Sequence, residues 1–264
     1  MNAGKPLMRS LSISGLLLWA FLSFLFFSCN KQTLENFQNE PLSDYLPVQV
    51  GNYITYRVDS LVFTNFGRNQ ETHSYLVKHI VDAQITDNLG RPSFRVFRYT
   101  NDTLASGPWI PTGSYFITPL NGNIEVIEDN LRFIKLQLPI SDNTTWKGNT
   151  YLAPNPYNTL YSFSNDDDMQ DWDFQYDTED SSFSYGGKNY SNVCNVEEDN
   201  ESFNVPITNP NAYASYTRAV ERYSKNIGLI FRDYTMWEYQ PNTGGGGGGY
   251  QVGFGITMWM VDHN

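Results

Sequence analysis

Residues 250–260 carry an apolar side chain at every second position, Tyr250, Val252, Phe254, Ile256, Met258 and Met260, and a two-residue period puts all six on one face of a β-strand. No other feature restricts the fold as strongly, because the same period recurs along the chain. Ile54, Tyr56, Val58 and Val62 alternate with Thr55, Arg57 and Asp59, while Tyr75, Val77, Val81, Ala83 and Ile85 share a face with His79. Shorter versions are Phe94 and Val96, Ile124 and Val126, Ile134 with Leu136 and Leu138, Trp172 with Phe174 and Tyr176, Leu229 and Phe231, and Trp237 and Tyr239. Turn-forming clusters at 87–90, 121–123, 128–130 and 225–228 separate these runs. No long stretch shows a clean 3.6-residue period; residues 212–223 read either as a short helix or as a strand entering a hairpin. Many short strands without helical crossovers mean antiparallel pairing. The expectation is an all-β protein with one domain over residues 44–264, built as a β-sandwich or a curved half-barrel of about nine to eleven strands. The lack of a fixed-length repeat argues against a propeller or solenoid.

Composition supplies the core and excludes some partners. The chain is 40% hydrophobic and 16% aromatic, which is far from the composition of a disordered segment. Its formal charge of −11 repels phosphate backbones, so nucleic acid is not an expected partner.

The N-terminus reads as an export signal. Lys5 and Arg9 precede an apolar run over residues 16–27, which ends at Ser28 and Cys29. Such a run falls short of the roughly 20 residues a membrane-spanning helix needs, and its charged start and small-residue end match a cleaved leader. The Ser28-Cys29 junction resembles the lipobox of bacterial lipoproteins in the looser form familiar from the Bacteroidota, with Phe26 and Phe27 where the usual motif has Leu and a small residue. The resemblance implies cleavage before Cys29, acylation of its thiol, and a domain order of signal peptide (1–28), lipidated Cys with a flexible tether (29–43) and all-β domain (44–264). Several acyl chains at about 0.8 kcal/mol per buried methylene make a stable anchor. With Cys29 acylated, Cys194 has no disulfide partner and reads as a small buried hydrophobe.

Segments with chemical promise are few. The six glycines at 244–249 lack the following helix and Lys that a phosphate loop requires, so they read as a hairpin connection. The carboxylates Asp166, Asp167, Asp168, Asp171, Asp173, Asp177, Glu179 and Asp180, with Glu197, Glu198, Asp199 and Glu201 as a second cluster, lack the calcium-loop spacing and read as wet strand faces. His73 and His79 lie about 20 Å apart along one strand and cannot clasp one metal. No nucleophile or zinc signature occurs, so the sequence assigns no catalytic residue, cofactor or metal. Trp109, Trp146 and Trp172 lie near turns, where exposed aromatics can serve a ligand.

Two further stretches carry a resemblance. Tyr45-Leu46-Pro47-Val48-Gln49-Val50-Gly51-Asn52-Tyr53-Ile54-Thr55-Tyr56 is similar to the opening of uncharacterised cell-envelope lipoproteins of the Bacteroidota, and Glu221-Arg222-Tyr223-Ser224-Lys225-Asn226-Ile227-Gly228-Leu229-Ile230 resembles a hairpin near their C-termini. Gly51 and Gly228 suit turns that need unusual backbone angles. Asp59-Ser60-Leu61 and Asp102-Thr103-Leu104 look like the short O-glycosylation sequence of that group, which implies Ser60 and Thr103 as acceptors. The resemblance implies an envelope lipoprotein held in a bilayer, expected to be the outer membrane, through Cys29, with its domain in the periplasm or at the surface. Its expected role is non-enzymatic, binding a glycan, a lipid or an envelope protein. The alternatives are a carboxylate-dependent glycan hydrolase and a structural subunit of an envelope complex.

Overall fold

The computed structural model describes residues 40–163, 168–177, 181–242, 244 and 248–264, all within one compact unit. The signal peptide, Cys29 and most of the proposed tether lie outside the described residues. Within the segment read as tether, Glu40–Ser43 packs on the domain: Leu42 is buried and Glu40 pairs with Lys225 at 2.8 Å.

The fold is all-β and antiparallel. A four-residue helix α1 (Leu42–Tyr45) precedes β1 (Tyr53–Thr64), β2 (Asn69–Thr86), β3 (Pro92–Asn101), β4 (Ile110–Pro119), β5 (Asn123–Glu128), β6 (Leu131–Gln137) and the short β7 (Thr145–Trp146). After a one-turn 3-10 helix at Met169–Asp171 come β8 (Phe174–Asp177), β9 (Ser182–Tyr185), β10 (Lys188–Ser191), β11 (Val193–Phe203), β12 (Ala214–Ser224), β13 (Gly228–Gln240) and β14 (Tyr250–His263). Twelve strands form one sheet in the order β6-β5-β4-β3-β2-β1-β14-β13-β12-β11-β8-β7, while β9 and β10 make a separate hairpin. Of the two expected architectures the curved sheet is the one adopted, and it curls until it is nearly a barrel. No helix among the described residues is long and apolar enough to cross a membrane.

The strand count exceeds the expected nine to eleven for local reasons. β4 has a proline near each end, Gly113 in its middle and an exposed first half, so it shows little alternation. The β9–β10 hairpin is short and mostly exposed, packing Phe183 and Tyr185 on Phe231 and Trp259 of the main sheet. Residues 212–223, readable either way, belong to strand β12 because β11 and β13 pair along both of its edges.

The terminal strands β6 and β7 do not pair in a ladder; side-chain hydrogen bonds and one backbone bond close the seam. Trp146 Nε1 donates to the Ile134 carbonyl at 2.8 Å, and the Ile134 amide donates to the Gly148 carbonyl at 2.8 Å. The Tyr176 hydroxyl accepts from the Gln137 amide and donates to the Gln137 carbonyl, both at 2.8 Å. These bonds satisfy the free edge of β6, which would otherwise expose strand donors and acceptors to other chains. Trp146, Phe174 and Tyr176 fill the space beneath the seam, with Trp146 and Tyr176 ring centroids 4.6 Å apart.

The end of the barrel nearest residue 40 is plugged by residues 45–56 and 221–230. Tyr56 donates to the Leu229 carbonyl at 2.9 Å, the Asn226 amide donates to the Asp44 carbonyl at 2.6 Å, and Gly228 lies against Ile54, Leu46 and Pro47. Gly51 and Gly228 adopt φ of 96° and 109°, the left-handed region expected of them.

Candidate functional site

The interior is crossed by charge. Arg98 on β3 donates to Glu128 at 3.0 Å and to Asp129 at 2.6 Å, and Glu128 also meets Arg232 of β13 at 3.3 Å. Arg232 Nε donates to Glu221 of β12 at 2.7 Å, and the same Glu221 oxygen lies 3.3 Å from the Lys135 ammonium on β6. Lys135 in turn donates to Glu198 of β11 at 2.6 Å. The result is an unbroken chain of alternating sign running from one wall of the barrel to the other.

Backbone irregularities aim several of these groups. Ile124 opposes Leu136 and Glu125 opposes Ile134, which leaves Lys135 as the extra residue of a β-bulge. Glu197 opposes Val220 and Asp199 opposes Ala219, so Glu198 is the extra residue of a second bulge. A third bulge, at Thr112 of β4, lies opposite Arg98 and Tyr99. A bulge bends its strand and re-aims a side chain; here a bulge on β6 and another on β11, on either side of the seam, accompany the Lys135–Glu198 pair. Glu221 and Arg232 need no such device, being directly opposed across β12 and β13.

The charged chain lies between two adjoining compartments, and Lys135 and Arg232 line both. One is a cavity of about 290 Å³ walled by Tyr157, Tyr161, Tyr234, Phe254 and Phe133 on its aromatic side. It opens beside Asp129, whose side chain is 70% exposed. The loop after β7 roofs it: Tyr157 shares a hydrogen bond of 3.0 Å with the Tyr234 hydroxyl, and Tyr157 and Tyr161 pack on Phe254 at 5.4 and 5.3 Å. The other is a void of about 120 Å³ toward the plugged end, lined by Val81, Val96, Ile117, Val126 and Leu229 with the polar atoms of Tyr56, His79, Tyr115 and Tyr223.

Burial and charge pull the acidities apart. Desolvation raises Glu198 above the ordinary carboxylate range, with Lys135 opposing, whereas Glu221 is held below that range because Lys135, Arg232 and the Tyr223 hydroxyl together outweigh its own desolvation. His79, buried between Tyr56 and Tyr115, is pushed down to about 3 by desolvation and by the nearby Arg232 and Arg98, so its imidazole is neutral. Raised Glu198 carries a stability signature. A group whose folded pKa, about 7, lies above its unfolded value contributes stability that is complete below the unfolded pKa and is lost as pH rises through the folded one. Relative to Glu198→Gln, the wild type should therefore lose stability from about pH 5 to about pH 7, by at most about 1.4 kcal/mol per pH unit, and level off above about pH 8. Urea unfolding followed by tryptophan fluorescence at several pH values checks this; a pH-independent difference would mean that Glu198 stays ionised throughout.

The residues singled out from sequence scatter. Ser60 lies within β1, half-buried, its hydroxyl 2.9 Å from the Tyr75 hydroxyl, and Thr103 lies in the β3–β4 loop. Cys194 is 1% exposed, its thiol pushed up to about 12 by burial. Trp146 and Trp172 are buried rather than exposed because the seam and its covering loop enclose them; Trp109 is half-buried beneath the Lys78 ammonium. His73 is exposed beside Glu71, far from the buried His79. In the second acidic cluster Glu197 and Glu201 face outward and Glu198 turns in. No cluster of three or more metal-ligating side chains forms among the described residues. Asp166, Asp167, Glu179 and Asp180 lie outside them, as do Gly245, Gly246 and Gly247 of the glycine run joining β13 and β14. Of the residues that build the interior, Lys135 and Arg232 belong to no motif, and Glu221 enters only as the first residue of the stretch 221–230, with no role assigned to it. Glu221 shares strand parity with Ala219 and Tyr223, and that misplaced charge on an apolar face was the available signal.

The fold and interior together define a class: an antiparallel, barrel-like protein with a partly hollow, ion-paired core. No protein-family model matches the chain, and no curated protein matches it either.

Proposed function

We propose that this chain is a lipid-anchored binding protein of the cell envelope, tethered through acylated Cys29, whose domain holds a small ligand inside the barrel. One observation carries the binding half: an aromatic-walled compartment of about 290 Å³, open at one end and floored by fixed polar groups. That volume sits at the small end of the range for ligand pockets, about 300–1,000 Å³, and a mainly apolar wall with a few placed polar groups is their usual make-up. The tether rests on the leader and Cys29. Labelled palmitate should enter the full-length protein and be absent from Cys29→Ala; equal labelling removes the anchor. A small-molecule thermal-shift screen on the full-length protein should find ligands that raise Tm, since a ligand bound only by the folded state stabilises it. A screen in which nothing shifts Tm, at ligand concentrations up to solubility, counts against binding.

A glycan hydrolase is the second reading. Glu198 and Glu221 both lie within 3.3 Å of one ammonium, with their acidities displaced in opposite directions, a split that acid–base chemistry uses. Release of reducing sugar from envelope glycans, abolished in Glu198→Gln, would favour it.

A further inference from the structure

Resting on the binding reading above, we infer that the larger compartment takes the ring of a neutral saccharide. Three cations reach into the cavity, Arg98, Lys135 and Arg232, and three inward carboxylates, Glu128, Glu198 and Glu221, already lie within 3.3 Å of them. Of the remaining acids, Asp129, exposed at the mouth, also pairs with Arg98 at 2.6 Å, and Asp233 is held by Arg218 at 3.0 Å. Each of the three cations therefore already has a carboxylate partner, and Lys135 keeps Glu221 even where Glu198 takes up a proton, so the wall offers no unpaired cation to an ionised headgroup. A fatty acid or an amino acid would have to displace one member of an existing pair, leaving a partly buried ion without its partner, which is costly.

A hydroxyl has no such requirement. Arg232 directs Nε to Glu221 and Nη1 to Glu128, and the two hydrogens on its Nη2 have no partner among the described residues. Tyr157 and Tyr234 share a single hydrogen bond, so one of their two hydroxyl hydrogens also remains to be donated. Ionised donors of this kind bind a neutral acceptor more strongly than neutral ones do. Phe254, packed with Tyr157 and Tyr161 at 5.4 and 5.3 Å, gives the same cavity an apolar aromatic wall. A pyranose has the complementary surface: C–H bonds across its flat face and hydroxyls around its rim. The cavity volume matches a single ring and leaves an opening beside Asp129 through which a longer chain could extend.

The test uses the full-length protein in a polyoxyethylene detergent, because glycoside detergents would compete. Titration calorimetry and saturation-transfer NMR would compare neutral methyl glycosides and N-acetylglucosamine with glucosamine, glucuronate, leucine and octanoate. At least one neutral sugar should bind saturably, with charged analogues of the same ring roughly tenfold weaker or worse. Phe254→Leu and Tyr161→Ala, each checked for an unchanged β-sheet circular dichroism spectrum, should weaken the sugar by about tenfold, and Tyr250→Ala, whose residue lies outside the cavity, should not. Binding of octanoate, leucine or a charged sugar with no neutral sugar overturns the saccharide assignment while the binding reading stands. Silence from the entire panel, together with no thermal shift from any small molecule, overturns both.

Discussion

Replacing Glu221 with Gln should cost about 3–5 kcal/mol of folding stability, because it breaks a buried pair and leaves the opposing charges in place. Glu221 is 2% exposed, and one of its oxygens serves both Arg232 at 2.7 Å and Lys135 at 3.3 Å while the other accepts from Tyr223. The amide keeps the shape and removes the charge. Arg232 is then left with Glu128 alone, and Lys135 with Glu198, whose burial already favours its protonated form. For a chain of this size each kcal/mol moves Tm by about 2–4 °C, so a fall on the order of 10 °C is expected at neutral pH. Asp233→Asn removes a partner of half-buried Arg218 instead, and should cost no more than about 1 kcal/mol. The asymmetry is testable further: Glu221→Leu combined with Arg232→Met should recover much of the loss, since an apolar pair of similar volume avoids both desolvation penalties. Urea unfolding of the four proteins decides the matter. If Glu221→Gln lay within 1 kcal/mol of the wild type, the ionic chain would not be what holds the barrel's interior.

That chain also shows where a sequence stops informing. Period-two alternation located most of the long strands, because burial on one side of a sheet forces it: Tyr56, Val58, Met258 and Met260 all point inward as their parity demands. Applied to Lys135, the same logic points to the wrong face. Between Ile134 and Leu136 it reads as an outward residue of an ordinary strand, yet a bulge turns it in, and bulges arise from pairing with β5, a strand whose register no local pattern reveals. Glu198 was hidden for the same reason among outward-facing carboxylates. Glu221 and Arg232 were more accessible, since each sits in line with buried neighbours and they are opposed across one hairpin. Opposite charges at paired positions on an apolar face are a local signal of a buried ion pair.

The cavity was legible in kind but not in place. Aromatic richness suggested ligand contact, and attention fell on tryptophans near turns, whereas the cavity walls are Tyr157, Tyr161 and Phe254. Phe254 comes from the most regular strand in the chain, and the two tyrosines from a loop with no period at all. Nothing short of the closed sheet brings them together. Residues 45–56 and 221–230 likewise read as separate turns, and their contact through Tyr56 and Leu229 explains why both carry left-handed glycines: each must fold tightly to plug the same barrel end.

The seam between β6 and β7 is the least local feature of all, and it supports the second large effect. Trp146→Ala should destabilise the protein by about 3–5 kcal/mol, the range for truncating a buried large aromatic. The indole is 5% exposed, packs on Tyr176 and Phe174, and gives the Ile134 carbonyl a donor. Without it that carbonyl sits buried and unpaired, a further penalty of about 1–3 kcal/mol unless water enters. Trp146→Phe, which keeps much of the volume and loses the bond, should fall between the two. The distribution of the damage matters more than its size. Because β6 is joined to the rest of the sheet by β5 on one side and by only one backbone bond and a few side chains on the other, loss of the indole should open the seam before the barrel. Hydrogen exchange would then show the amides of Ile134 and Gln137 losing protection while those in β1, β13 and β14 keep it, a local opening below the global one. Trp109→Ala, which removes a half-buried ring under Lys78 of β2 and away from the seam, should leave β6 unaffected. Equal loss of protection in every strand of Trp146→Ala would show that the sheet opens only as a whole, and that its two ends are not held by a separable lock.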